Sequence, residues 1–221
     1  IQATNVAIAS PEAEEIRLSL WELAKEGGWI MVVLAIFSVI AVYIFSERFI
    51  TINKASKEDT TFMDRIKDYI MEGKIDSATN LCQQVNTPAA RMIEKGISRL
   101  GKPMNDVLVA IENVGNLEVS KLEKGVALIG MISGAAPMLG FLGTVTGMIR
   151  AFYDMSMAGN NIDIELLSAG IYEAMVTTVG GLFVGILAYI FYNIIVSKID
   201  KVVNLLESKS IEFMDVLNEP A

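Results

Sequence analysis

The chain has 221 residues and a net charge of −8; 52% of its residues are apolar, 20% are charged, and the mean hydropathy is +0.46. Histidine is absent and Cys82 is the single cysteine, which excludes a Cys/His metal centre, a disulfide framework and Ser-His or Cys-His nucleophilic catalysis. Without a basic cluster, the acidic balance also argues against a nucleic-acid partner.

Residues 1–28 form the first segment. It lacks the basic start and the continuous apolar run of a signal peptide. A chain opening at Ile1 without Met is expected to lack residues upstream. Ser10 is a fitting N-cap, Pro11 stands at the first helical position, and Glu12, Glu14 and Glu15 follow in the first turn. Ile16, Leu20 and Leu23 share a face, so residues 11–26 are expected to form a short amphipathic helix on the membrane surface, ended by Gly27-Gly28.

Three stretches then lack or nearly lack charge. Residues 27–46 are 20 uncharged residues, residues 125–149 are 25, and residues 166–197 are 32 with Glu173 as the one charge inside. At 1.5 Å of rise per residue, about 20 residues cross the hydrocarbon layer of a bilayer. The expected layout is an outer amphipathic segment over 1–28, transmembrane helices over 29–46, 125–152 and 167–197, a cytoplasmic helical domain over 47–124, a short outer loop over 153–166, and a cytoplasmic helical tail over 198–221. Basic residues set the orientation. Residues 47–124 carry twelve and 198–221 carry three, against two in 1–28 and none in 151–167. Basic loops stay cytoplasmic, so the N-terminus is expected outside and the C-terminus inside.

The segment over 47–124 reads as a small helical domain. Helices are expected over 62–71 (ended near Gly73), over 75–85, and from Thr87-Pro88 to about Leu100. Pro103 opens another, along which Met104, Val107, Leu108, Ile111, Val114, Leu117 and Leu122 recur at helical spacing. No strong breaker follows, so one continuous helix is expected from 104 to 153. Ile199, Val202, Val203, Leu206, Phe213 and Leu217 prolong the third span in the same way. The fold class is therefore an all-α integral membrane protein: three transmembrane helices, the second and third extended far into the cytoplasm, plus a small cytoplasmic helical domain.

The second and third spans are two-faced. At 100° per residue, Ser133, Ala136, Pro137, Gly140, Gly143, Thr144 and Gly147 fall within an arc of about 120°. Met138, Leu142, Val145 and Ile149 lie opposite. In the third span Glu173, Thr177, Gly180, Gly181, Gly185 and Ala188 share a face, with Thr178 at its edge. Gly140, Gly143, Gly147, Gly181 and Gly185 suit close helix packing of the small-xxx-small kind. The small faces are expected to meet neighbouring copies or a central pore. Glu173 stands out, because an acid inside a span costs roughly 2.5–3.5 kcal/mol and persists when paired, protonated or wetted. Its one nearby cation in sequence terms is Arg150, at the outer end of the second span; without that pair, a bundle interior or a water-filled path is the natural setting for the carboxyl group. No metal ligand set, catalytic residue or cofactor motif is present.

Two motifs sharpen the reading. Gly140-Phe-Leu-Gly-Thr144-Val-Thr-Gly147-Met and Gly170-Ile-Tyr-Glu173-Ala-Met-Val-Thr-Thr178-Val-Gly resemble the ExbB/TolQ/MotA proton-channel family. The three-span layout resembles its ExbB and TolQ branches, and the long N-terminal segment is more like ExbB. The resemblance implies a homopentamer in the bacterial inner membrane. A dimer of an ExbD-like single-span partner would sit in its pore and supply the moving aspartate, and a TonB-like protein would carry energy to outer-membrane transport. It also implies that Thr144, Thr178 and Glu173 line the pore. The helical wheel puts Thr177 nearer the face centre than Thr178, so Thr177 stays beside it as a candidate. The remaining alternatives are a TolQ-like envelope-maintenance or motility stator subunit and a non-conducting membrane scaffold. A membrane enzyme has no residues in its favour.

Overall fold

The computed structural model describes residues 28–56, 61–157 and 164–218. The amphipathic helix expected over 11–26 and the centre of the 153–166 loop lie outside them. In chain order the helices are α1 (Gly28–Ala55), α2 (Phe62–Met71), α3 (Ile75–Val85), α4 (Pro88–Ile97), α5 (Met104–Glu123), α6 (Val126–Met157) and α7 (Ile164–Asn218). No strand occurs among the described residues. Three helical stretches are long and apolar enough to cross a membrane: Gly28–Ala55, Met104–Met157 and Leu167–Asn218. The protein is an all-α membrane protein.

Local chemistry sets the short helices. α2 stops before Gly73, whose φ of +69° is left-handed backbone suited to glycine. α3 ends on Asn86, left-handed at φ 48°. α4 begins where the Thr87 hydroxyl accepts a hydrogen bond from the Ala90 N–H at 3.3 Å, with Pro88 at the first position. Cys82 is buried in this domain; burial pushes its thiol up to about 12, so it is an inert packing group.

The helix expected to run unbroken from 104 to 153 is two helices. Lys124 is extended at ψ 121° and Gly125 is left-handed at φ +82°, so the chain bends between α5 and α6. The break strands the last carbonyls of α5. Arg48 of α1 reaches across and donates from Nη1 to the Lys121 carbonyl oxygen at 2.9 Å. Glycine is needed here for its backbone: a β-carbon on Gly125 would meet only Ile44 Cγ2, at an ordinary 3.4 Å.

α7 is the mast of the molecule. Its upper part packs on α6 and α1. Its lower part carries Val202, Leu206 and Phe213 into the small helical domain, where Ile66, Leu81, Ile93, Ile97, Val107 and Ile111 are buried. Phe213 is wholly buried, and Gly96 admits it: a β-carbon on Gly96 would stand 2.6 Å from Phe213 Cε1.

α1 and α7 run parallel in a constant register. Leu34 and Met31 face Gly180, Phe45 stacks on Phe191 with ring centroids 4.2 Å apart, and Lys198 donates to Asn53 Oδ1 at 2.7 Å while lying over the Phe49 ring. Each pair is separated by nearly the same number of residues, so neither helix slips along the seam.

Candidate functional site

The small residues of α6 and α7 face each other within one chain. A β-carbon on Gly140 would stand 2.9 Å from the Thr177 carbonyl oxygen. One on Gly181 would stand 2.6 Å from the Ala136 carbonyl oxygen and 2.8 Å from Gly140 Cα. Gly143 lies under the Thr177 side chain, Gly147 under Ala174, and Gly185 under the Pro137 ring. The expectation that these faces meet neighbouring copies or a pore is corrected: they are consumed by the α6–α7 contact. The physical reason is that a helical wheel reports which residues share a direction and is silent on which helix stands opposite. Pro137 lies inside α6, and having no N–H it leaves the Ser133 carbonyl without its helical donor. That carbonyl turns toward Gly185, where a β-carbon would come within 3.2 Å of it.

Two hydroxyls converge on one carbonyl in this contact. Thr178 donates to the Gly140 oxygen at 3.1 Å. Thr177, 3% exposed, donates to the Ala174 oxygen at 2.7 Å and approaches the Gly140 oxygen at 3.4 Å. Both bonds keep polar groups satisfied inside the protein, as a lipid-embedded contact requires.

Thr144 sits one step round α6 from Gly143 and is half-buried. Its hydroxyl donates to the Phe141 oxygen at 2.6 Å, and with Val145, Met148, Ile149 and Phe152 it borders an open groove. The helical wheel placed Thr144 with the glycines; the packing leaves it at the margin, facing outward. Thr146 is exposed and bonds the Leu142 and Gly143 oxygens at 2.9 and 3.1 Å. The bulky residues opposite the glycines, Met138, Leu142 and Ile149 on α6 and Met175, Val179 and Phe183 on α7, are exposed.

Glu173 is half-buried on α7, displaced from the Thr178 side of that helix. Its Oε1 stands 3.0 Å from the point a β-carbon on Gly28 would occupy. Gly28 is the first residue of α1. Arg150 is exposed, and among the ion pairs of the described residues none joins it to Glu173.

A second polar centre, which the sequence analysis passed over, ties α3, α4 and α5 together. Glu118, 4% exposed, accepts from Arg91 Nη2 at 2.5 Å and from Lys121 Nζ at 2.6 Å. Arg91 also donates to the carbonyl and side-chain oxygens of Asn86, at 2.8 and 2.7 Å. The signal was present in the spacing: Ile111, Gly115, Glu118 and Leu122 form the buried stripe of α5, whereas Leu117, read as part of it, is 62% exposed.

Residues 84–208 match the model of the MotA/TolQ/ExbB proton channel family. The matched region holds the α6–α7 contact and every threonine just described. The chain belongs to this family. An ExbB homologue of biopolymer transport from Methanothermobacter thermautotrophicus is 27% identical over 187 residues, covering 84% of this chain and 66% of that protein. An ExbB-like biopolymer transport protein from Synechocystis is 37% identical over 91 residues, covering 40% of this chain and 36% of its own. The Tol-Pal system protein TolQ of Haemophilus influenzae is 28% identical over 207 residues, covering 84% of both. The chain thus spans about two thirds or less of the first two relatives. Membership makes it a protein of the proton channel family, with three helical stretches long and apolar enough to cross a membrane.

Proposed function

We propose that this chain is the stationary, pore-forming subunit of a proton-motive-force-driven motor in a bacterial inner membrane. In this reading the N-terminus and the loop after α6 are periplasmic, and the helical domain and C-terminus are cytoplasmic. Five copies surround a dimer of an ExbD-like single-span partner, and a TonB-like protein passes the work to outer-membrane transport. The observation that carries the reading is the outward position of Thr144. A hydroxyl bonded to its own helix, on a face that its own chain leaves open, offers a neutral hydrogen-bonding group to whatever fills the pore. The partner supplies the carboxyl group that gains and loses a proton. Thr178 and Thr177 line the α6–α7 wall behind it, and Glu173 stands at the outer end of the path.

A TolQ-like role in envelope maintenance is the second reading, supported by the TolQ relative that is matched over most of both chains. Partner and cargo distinguish the two, whereas the mechanism at the threonines is common to both.

The test compares Thr144→Ala with Thr146→Ala in cells that depend on energised uptake. Thr144→Ala is expected to lose uptake by about tenfold or more, the scale of one hydrogen bond lost from a desolvated path. Thr146→Ala is expected to stay near wild type, with both chains present in the membrane at equal level. Equal loss from both substitutions would remove the assignment of the Thr144 face.

A further inference from the structure

Helix α5 ends at Glu123 and α6 begins at Val126, yet the buried stripe takes no notice of the gap. Gly115, Glu118 and Leu122 are buried before it, and Val126, Ile129 and Ile132 after it. Each follows the last by three or four residues, and Leu122 to Val126 is one such step. A single unbroken helix would carry this stripe on the same face.

The interruption therefore turns no new face toward the core, but it has a cost. The last carbonyls of α5 and the first N–H groups of α6 lose their helical partners. Arg48 of α1 answers one of them: Nη1 donates to the Lys121 oxygen at 2.9 Å, while Nη2 pairs with Glu47 at 2.5 Å. The Arg48 Nε is buried without an acceptor, so the bent form leaves a further polar group unsatisfied. Lys124 is extended at ψ 121° and Gly125 is left-handed at φ +82°. A β-carbon on Gly125 would meet only Ile44 Cγ2, at 3.4 Å, so backbone conformation and not space calls for the glycine.

We propose that Lys124–Gly125 is a two-state joint and that Arg48 is its latch. Latched, the joint is broken, and α1 holds the end of α5. Released, residues 122–128 close into one helix, and α5 and α6 move as a single rod from the helical domain to Thr144. The unshifted stripe lets either form bury the same residues. The first span thus controls whether the helical domain moves with the helix that carries Thr144. The assignment concerns a single chain and is independent of the pore reading.

The test is amide hydrogen exchange of the full chain in detergent, read by mass spectrometry with fragmentation at Val126 and Ala127. These N–H groups lie in the first turn of α6 in the bent form and gain the Leu122 and Glu123 oxygens in the straight one. Arg48→Ala removes the latch. Gly125→Ala disfavours left-handed backbone with Arg48 in place. Both are expected to slow exchange at the two amides by about fivefold or more, the scale of the left-handed penalty for a residue with a β-carbon. Gly125→Asn adds a β-carbon yet tolerates left-handed backbone, and is expected to exchange at close to the wild-type rate. A residue that only stabilises the fold gives the opposite sign, because losing a contact speeds exchange. Unchanged or faster exchange in Gly125→Ala overturns the joint, and slowing there without slowing in Arg48→Ala overturns the latch. Equal slowing in Gly125→Asn overturns both, since the added side chain would then be the cause. If Arg48→Ala fails to fold, Arg48→Met, which fills the space without a donor, is read by the same criterion.

Discussion

Single residues in this protein divide into those that neutralise a charge and those that make room. Glu118 belongs to the first kind. Burial alone would raise its carboxyl, yet the hydrogen bonds and charges of Arg91 and Lys121 outweigh burial and hold it below the usual carboxylate range. A carboxyl lowered in the folded state adds stability that is present above its unfolded value, about 4.3, and is lost as pH falls through the folded value. Unfolding of the detergent-solubilised protein, followed by circular dichroism, is therefore expected to change little from neutral pH to about pH 5 and to weaken below it. Glu118→Gln is expected to cost about 1–3 kcal/mol at neutral pH, since Arg91 and Lys121 lose their charged acceptor while keeping partial access to water. The acid-side fall should be shallower in that variant; an unchanged profile would show that the Glu118 network contributes no pH dependence. The spacing of the α5 stripe that holds Glu118 was legible beforehand, but its charge was not. Apolar periodicity ranks a glutamate as a surface residue, and the stripe read along α5 drifted to Leu117 for that reason. The true stripe includes a charge because two cations from other turns stand over it.

At the scale of elements, the glycines of α6 and α7 decide the packing. Gly181 is pressed on backbone atoms, the Ala136 oxygen and Gly140 Cα, which cannot move aside as a flexible side chain does. Gly134, on α6, has nothing within 4 Å of its β-position. Gly181→Ala is expected to cost about 1–3 kcal/mol through overpacking and to loosen the Thr178–Gly140 bond. Gly134→Ala should be neutral or gain up to about 1 kcal/mol of helix propensity. Thermal unfolding of both variants in one detergent checks the contrast, and similar midpoints would mean that the α6–α7 contact is looser than the structure has it. The pattern of small residues was plain in the sequence, because 100° of rotation per residue aligns them whatever they touch. The break at Lys124–Gly125 was not. A lone glycine inside a helical pattern is compatible with continuation, and the Arg48 guanidinium that meets the Lys121 carbonyl at the interruption comes from a distant part of the chain.

For the whole molecule, the open surfaces matter most. The glycines of the small faces are already used within the chain and are not free to join copies in a ring, whereas the groove beside Thr144 is open. The expected species in mild detergent is a closed ring of five, a number taken from the family likeness. Native mass spectrometry that finds only monomers would defeat the pore reading and leave the joint at Lys124–Gly125 untouched. Thr144→Ala should not change the count, since its hydroxyl is satisfied by its own helix.

The sequence alone determined that the chain is helical, that three stretches are long and apolar enough for a bilayer, and that two of them carry a small face with threonines. Those properties follow from composition and periodicity, which act along one helix at a time. Only the tertiary structure decided that the two small faces close on each other, that Thr177 and Thr178 share the Gly140 carbonyl, and that Thr144 is left at the open margin. It also placed Glu173 beside the head of α1 instead of beside Arg150. Each of these depends on which helix stands opposite and in what register, and that is settled by contacts between residues far apart in the chain, such as Phe45 on Phe191 and Phe213 under Gly96.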